Sequence, residues 1–133
     1  MADKIAFELV SPERVLVSQD ADMVIVPGMA GDFGVLAGHQ PLISSLRPGI
    51  VEVHDEGAET RRIFVDGGFA EVTGDRCAVL AEDAAPLEDL NRSDIEGRIK
   101  DAEEDLAEAK EDLERHLIEN RLATLRHMLD AAA

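Results

Sequence analysis

A glycine-rich stretch near the start of the chain limits most strongly what this sequence can fold into. The segment 27–42 begins with a proline and contains Gly28, Gly31, Gly34 and Gly38. Glycine adopts backbone conformations with positive φ and lets a second backbone come close. Four glycines at this density exclude one long helix or strand. We therefore predict tight turns around a very short strand, Phe33 to Leu36.

Glycine-rich loops also bind phosphate groups, but this stretch fits neither common motif. A P-loop ends in Gly-Lys followed by Ser or Thr, and no Gly-Lys pair occurs in the sequence. A dinucleotide-binding loop has Gly-x-Gly-x-x-Gly between a strand and a helix. Here Gly28 and Gly31 are three residues apart, and the following residues favour strands. A structural turn region is the better interpretation.

The charge of the protein restricts its partners. The 133 residues carry a formal net charge of −16. Nucleic-acid binding depends on Lys and Arg side chains that neutralise phosphates, so this charge argues against nucleic acid and against unaided adsorption to anionic lipid. A basic protein partner and simple solubility both stay open. No apolar run reaches the roughly 20 residues of a membrane span, and residues 1–20 lack a signal-peptide core.

No combination of residues predicts an active site or a metal site. The single cysteine, Cys77, lies in an apolar run and is expected to pack as a small hydrophobic side chain. His116 and His127 are separated by roughly 16 Å on a helix, too far to share one metal ion. The acidic run 103–105 has the pattern of a solvated helix face. We expect no catalytic residue, no metal and no cofactor.

The first 85 residues have the pattern of short β-strands. We predict strands at 5–10, 15–19, 23–26, 42–46, 50–54, 61–66, 69–73 and 77–81. Turn residues such as Pro48-Gly49 and Gly67-Gly68 separate these runs. Strands at intervals of 8–12 residues are typical of an all-β sandwich or a small barrel. We predict one such domain over residues 1–85.

The composition changes at Pro86. No proline and only one glycine follow it, and strong helix formers dominate. We expect a helix from Asn91, with Ser93 as a second capping option. Two apolar stripes follow, formed by Ile95, Ile99, Ala102, Leu106, Ala109, Leu113 and Leu117, and by Ile118, Leu122, Leu125 and Leu129. The slip in phase favours two helices with a turn around 107–112, but one long helix with a rotated stripe stays open.

A series of short motifs resembles the epsilon subunit of the rotary F-type ATP synthase, called delta in mitochondria. The motifs are Gly31-Asp32-Phe33-Gly34, Gly38-His39-x-Pro41-Leu42, Pro48-Gly49-Ile50, Gly67-Gly68-Phe69-x-Glu71-Val72 and Val79-Leu80-Ala81. The resemblance implies a β-sandwich over 1–85 and an α-helical hairpin over 86–133. It implies structural turns at Gly31, Gly34, Gly38, Gly67 and Gly68. It also implies a non-catalytic subunit that couples the membrane rotor ring to gamma and restrains ATP hydrolysis.

The same resemblance suggests which residues contact partners. Asp32 and His39 are candidates for contacts with gamma and the membrane c-ring, whereas Arg115, Arg121 and Arg126 are candidates for the alpha and beta subunits. The expected location is peripheral, at the cytoplasmic face of the bacterial inner membrane. An alternative keeps Asp32 as a turn residue and His39 hydrogen-bonded within its own loop. Two other functions stay open, a free-standing β-domain that binds a ligand and an enzyme.

Some members of this family bind ATP at the pattern Ile/Leu-Asp-x-x-Arg-Ala on the first helix. In this sequence Asn91 replaces the Asp, Asp94 replaces the Arg and Ile95 replaces the Ala. An acidic side chain where phosphates need a base repels them. We therefore expect no nucleotide site at these positions.

Overall fold

The structure, a computed structural model, describes residues 3–132 and divides the protein into two compact units, Met1–Pro86 and Leu87–Ala133. The first unit contains eight strands: β1 Ile5–Val10, β2 Val15–Ala21, β3 Met23–Gly28, β4 Gly31–Val35, β5 Leu42–Ser45, β6 Gly49–His54, β7 Arg61–Val72 and β8 Arg76–Pro86. The second unit contains a 3₁₀ turn, Leu87–Asp89, and the helices α1 Arg92–Glu108 and α2 Asp112–Ala131. The prediction of a β-sandwich followed by two helices is confirmed.

The strands of the first unit follow the order β2-β1-β8-β7-β6-β3-β4, and β5 pairs separately with β7. Strands β1 and β8 run parallel, whereas the other pairs are antiparallel. The parallel pair joins the beginning of the unit to its end, because Ala6 is opposite Arg76. The long strands β7 and β8 belong to both halves of the sandwich: residues 61–65 of β7 pair with β6 in one half, and residues 69–72 pair with β5 in the other.

The core of the sandwich is aliphatic. Along β6, Val51 and Val53 are buried, whereas Glu52 and His54 on the other face are partly exposed, as the alternation predicts. Cys77 is fully buried within this core, as expected for a small hydrophobic side chain. The largest fully buried side chains of this unit are Phe7, Phe64, Ile5 and Leu9. Among the described residues, the core contains no buried polar or charged side chain.

The prediction of two strands separated by a turn at Gly67-Gly68 is wrong. The backbone continues through both glycines as the single strand β7, and its register with β8 is the same before and after them. Both glycines have positive φ, +75° and +105°. On the other edge, β7 pairs with β6 before the glycines and with β5 after them. The glycine pair is therefore the bend at which one strand passes between the two halves of the sandwich.

The other glycines of the first motif have different surroundings. Gly31 has a positive φ and follows the two-residue turn Met29-Ala30 between β3 and β4. Gly34 lies inside β4, opposite Ile25, and not in a turn. Gly38 has a positive φ in the loop after β4. The short strand itself begins at Gly31 rather than Phe33, because the turn before it is only two residues long.

The two helices form a hairpin. Asn91 is the N-cap of α1, and its side-chain oxygen accepts the backbone N–H of Asp94 at 3.1 Å. Ile95, Ala102, Leu122 and Leu125 are buried between the helices.

Part of the stripe prediction for the hairpin is wrong. Leu113 and Leu117 are 69% and 59% exposed, and they do not extend the buried stripe of α1. The break at residues 109–111 turns the backbone back, so the stripe of α1 is not continued into α2.

Candidate docking surfaces

Asp32 lies at the tip of the β3–β4 hairpin. Its carboxylate forms an ion pair with Arg47, whose guanidinium also donates to the backbone oxygen of Gly28 at 3.3 Å. The neighbouring Met29 is 64% exposed. The tip therefore combines an apolar side chain with an acidic side chain held in place by its ion pair.

His39 lies in the loop after β4. Its Nδ1–H donates to the backbone oxygen of Gln40 at 2.7 Å, because a carbonyl can only accept. The loop is fastened by the backbone N–H of Gly38, which donates to Gly74. Asp32 and His39 are thus at opposite ends of β4, a strand roughly 13 Å long. The structure does not bring these two candidate contacts together.

The outer face of the sandwich carries a row of apolar side chains that the sequence pattern alone does not predict. Register places Phe69 opposite Leu80, Leu80 opposite Val10, and Val10 opposite Val15. Directly paired residues project on the same face of a sheet, and the next residues along, Leu9 and Val79, are buried in the core. Val15, Phe69 and Leu80 are 56%, 41% and 42% exposed. We call these four side chains (Val10, Val15, Phe69, Leu80) the outer apolar row.

The outer apolar row crosses four strands, β7, β8, β1 and β2, so it spans roughly 14 Å. Ile43 on β5, 71% exposed, extends the apolar surface beyond β7. Each strand contributes only one of these side chains, so no single segment of the sequence identifies the surface. Only the strand pairing reveals the surface. Contiguous exposed apolar side chains of this kind are typical of sites for other proteins.

The three candidate arginines of the second unit have different surroundings. Arg115 donates from Nε to the backbone oxygen of Ala109 at 3.4 Å. Arg115 and Arg126 line one open cleft of about 440 Å³ between the helices, together with Glu103 and Glu119. Arg121 is exposed and is not part of that cleft. Within residues 3–132, Arg121 and Arg126 form no hydrogen bond or ion pair.

The residues that depart from the ATP pattern have structural roles. Asn91 caps α1, and Asp94 supplies the backbone N–H that this cap accepts. Ile95 is 3% exposed in the hairpin core. No basic side chain is therefore provided where the pattern requires one.

A cluster of carboxylates lies beside the bend of β7. Asp83 is opposite Asp66 in the β7–β8 register. Partial burial raises the pKa of Asp83 above its ordinary value, and the negative charges of Asp66, Glu82 and Glu13 raise it further. Burial alone raises the pKa of Cys77 to about 11, so that thiol is protonated at neutral pH.

Two other kinds of site are absent from the described residues. Within 3–132, no group of three or more His, Cys, Asp or Glu side chains could hold a metal ion. In the same range, no helix is long and apolar enough to cross a membrane.

Comparison with known families defines the class of protein to which this fold corresponds. Residues 4–87 match the family model of the beta-sandwich domain of the ATP synthase Delta/Epsilon chain, and residues 91–133 match that of the C-terminal domain of the ATP synthase epsilon chain. The sequence is 54% identical to the ATP synthase epsilon chain of Rhodospirillum centenum, over all of this chain and 94% of the relative. It is 50% identical to that of Parvibaculum lavamentivorans, over 96% and 97%. The protein belongs to the ATP synthase epsilon chain family.

Solved structures share the fold. A subunit of the Euglena gracilis mitochondrial ATP synthase, in its OSCP/F1/c-ring assembly, superposes with a TM-score of 0.76 at 23% identity, covering 100% of this chain and 84% of that one. A subunit of the Tetrahymena thermophila mitochondrial ATP synthase central stalk and c-ring gives 0.65 at 13% identity, covering 99% and 98%. The family predicted from the sequence motifs is therefore confirmed.

Proposed function

We propose that this protein is a central-stalk subunit of the proton-translocating F-type ATP synthase, joining gamma to the membrane c-ring. It forms no covalent intermediate itself, and catalysis belongs to the alpha and beta subunits. Its location is peripheral, at the cytoplasmic face of the bacterial inner membrane. The family membership and the two structural neighbours, which come from an F1/c-ring assembly and from a central stalk with its c-ring, support this proposal.

The outer apolar row is the observation that carries the proposal. Val15, Phe69 and Leu80 are neighbouring exposed apolar side chains on the surface of a protein with net charge −16. Burying such side chains against a partner stabilises the complex by roughly 25 cal/mol per Å² of apolar surface. The proposed occupant of the row is gamma.

Substitution of the row tests this docking. Leu80→Glu puts a charge at the centre of the row while its neighbours Val79 and Ala81 keep the core intact. The matched control is Leu113→Glu, the same change at an exposed leucine of α2. Purified variants are mixed with gamma at micromolar concentration and separated by size exclusion. We expect Leu113→Glu to co-elute with gamma and Leu80→Glu to elute alone; equal behaviour of the two variants would reject the row as the gamma site.

The exposed tip of the β3–β4 hairpin is proposed to contact the c-ring. Met29 is exposed there, and Asp32 is fixed by Arg47. His39 lies at the other end of β4, so it is assigned to a different contact, with gamma. Asp32→Asn should lower retention of the protein by purified c-ring and gamma without changing its binding to gamma alone. Loss of both would mean that Asp32 supports the fold rather than the ring contact.

The helical hairpin is proposed to restrain ATP hydrolysis by contacting the alpha and beta subunits. Arg121 and Arg126 form no ion pair within residues 3–132, so they are available to acidic partners. Strand β8 pairs as far as Pro86, so a truncated protein should end at Leu87 rather than at Ala85. The enzyme assembled with this truncated protein should hydrolyse ATP faster than the enzyme with the full-length one. Equal or slower hydrolysis at equal stoichiometry would show that the hairpin does not restrain ATP hydrolysis.

A further inference from the structure

Each helix of the hairpin has an arginine in its first turn that reaches the end of the other helix. Arg92, the first residue of α1, donates from Nη1 to the backbone oxygens of Ala132 at 3.1 Å and Leu129 at 3.4 Å. Arg115, in the first turn of α2, donates to the oxygen of Ala109, the C-cap of α1. The arrangement is reciprocal, because the helices are antiparallel.

The placement of these arginines is unfavourable within their own helices. A cation is destabilising at the positive N-terminal end of a helix and stabilising at the C-terminal end, where the last carbonyls lack intrahelical partners. Neither α1 nor α2 has a basic residue in its own last turn. The charge that each helix end lacks is therefore supplied by the other helix. Glu96, 3.3 Å from Arg92 Nε, holds the first guanidinium in position.

We propose that Arg92 and Arg115 form a clasp that links closure of the hairpin to the folding of both helix C-termini. When the helices separate, the last turn of α2 and the end of α1 lose their only cationic partner among the described residues and fray. The clasp is a conformational device, and neither arginine acts on a ligand in the closed hairpin. Opening of the clasp also frees Nε of Arg115, which is bonded to Ala109 in the closed hairpin.

Hydrogen exchange on the isolated full-length protein tests the clasp. Arg92→Gln should speed exchange of the backbone amides at 129–132 by about two- to fivefold, the range expected for a cation at a helix C-terminus. The matched control is Arg98→Gln, the same change at an exposed arginine of α1 that has no partner within residues 3–132. Its exchange at 129–132 should equal that of the wild type. If both variants give the same rates, the clasp is overturned.

Two further measurements separate a charge effect from general damage to the hairpin. Arg92→Lys keeps the cation and should restore most of the protection at 129–132, whereas disruption of packing would affect Lys and Gln alike. Raising the salt concentration to 1 M shortens the screening length to about 3 Å, so the difference between wild type and Arg92→Gln should shrink. A difference that persists unchanged at 1 M salt would contradict the clasp.

One consequence rests on the proposed function, in which the hairpin restrains hydrolysis, and on the further premise that its helices contact alpha and beta when the hairpin is open. Weakening the clasp with Arg92→Gln should populate the open hairpin and slow ATP hydrolysis by the assembled enzyme relative to Arg98→Gln. If the protein truncated at Leu87 leaves hydrolysis unchanged, the proposed restraint of hydrolysis by the hairpin fails, whatever the exchange data show. If that truncated protein speeds hydrolysis but Arg92→Gln does not slow it, the proposed link between opening of the clasp and restraint of ATP hydrolysis is overturned.

Discussion

Substitution of Gly68 should destabilise the sandwich through two separable effects. A Cβ atom at this position would lie 1.9 Å from the backbone oxygen of Leu80 and 3.0 Å from the Cα of Ala81. Close carbon–oxygen contacts are about 3.3–3.6 Å long, so β7 and β8 would have to separate by about 1.5 Å at Leu80. The φ of +105° adds strain for any residue with a side chain.

The magnitude of the Gly68→Ala effect follows from these two terms. Backbone strain at such a φ costs about 1–3 kcal/mol. Separating the strands at this point breaks about two ladder hydrogen bonds, each worth about 1 kcal/mol. We expect the free energy of unfolding to fall by about 3–5 kcal/mol, and Gly68→Val to be at least as severe.

Thiol reactivity reports this loss directly. Cys77 is the single cysteine and is fully buried on β8, so it reacts with a thiol reagent only when the sandwich opens. With a urea dependence of about 1.5 kcal/mol per M, the midpoint of Gly68→Ala should fall by about 2–3 M. The control is Gly57→Ala, whose φ is +80° but whose Cβ would meet no atom within 4 Å. This variant should lose only about 1–2 kcal/mol, the backbone strain alone; equal losses in both variants would refute the steric argument.

Three further predictions concern the titrating groups and nucleotide binding. Because the pKa of Asp83 is raised in the folded state, that state binds more protons above pH 3.8, so stability falls as pH rises through the folded pKa. Asp83→Asn should therefore raise the melting temperature at pH 7, whereas Asp20→Asn, an exposed change on β2, should not. The native Cys77 thiol should resist alkylation at pH 8 and react fully in denaturant, as counted by mass spectrometry. Calorimetry of the isolated protein should detect no ATP binding tighter than about millimolar, because Asp94 replaces the base of the family pattern.

Much of the architecture could be predicted because it is encoded locally. The alternation in β6, the cap at Asn91 and the change of composition at Pro86 each act within a few residues. The same local reasoning failed at Gly67-Gly68, because two glycines with positive φ suit a bend in a strand as well as a turn. It also failed at Leu113, whose exposure depends on where α1 ends. No glycine or proline marks that end, so the periodicity of the sequence predicts that the stripe continues to Leu113.

The candidate docking surfaces were harder to predict, because they depend on pairing between distant segments. The outer apolar row joins residues of β7, β8, β1 and β2 through strand register. In the sequence, Arg92 occupies only a variable position of the ATP pattern, between Asn91 and Asp94, and nothing there indicates a structural role. Its contact with Ala132 requires the hairpin to close. The partner contacts predicted at Asp32, His39, Arg115, Arg121 and Arg126 stay predictions.

The parallel pairing of β1 with β8 has a consequence for how the protein acquires its structure. The first strand pairs with β2 on one edge and with residues 76–80 of β8 on the other, so the sheet cannot be completed until nearly the whole first unit has left the ribosome. Folding is slow when contacts join such distant residues, whereas the α1–α2 hairpin needs only local contacts. During synthesis, Phe7 and Leu9 lack their β8 partners, Cys77 and Val79, until that strand has been made. One edge of the N-terminal strand thus stays unpaired, and open to pairing with other chains, until β8 has been synthesised.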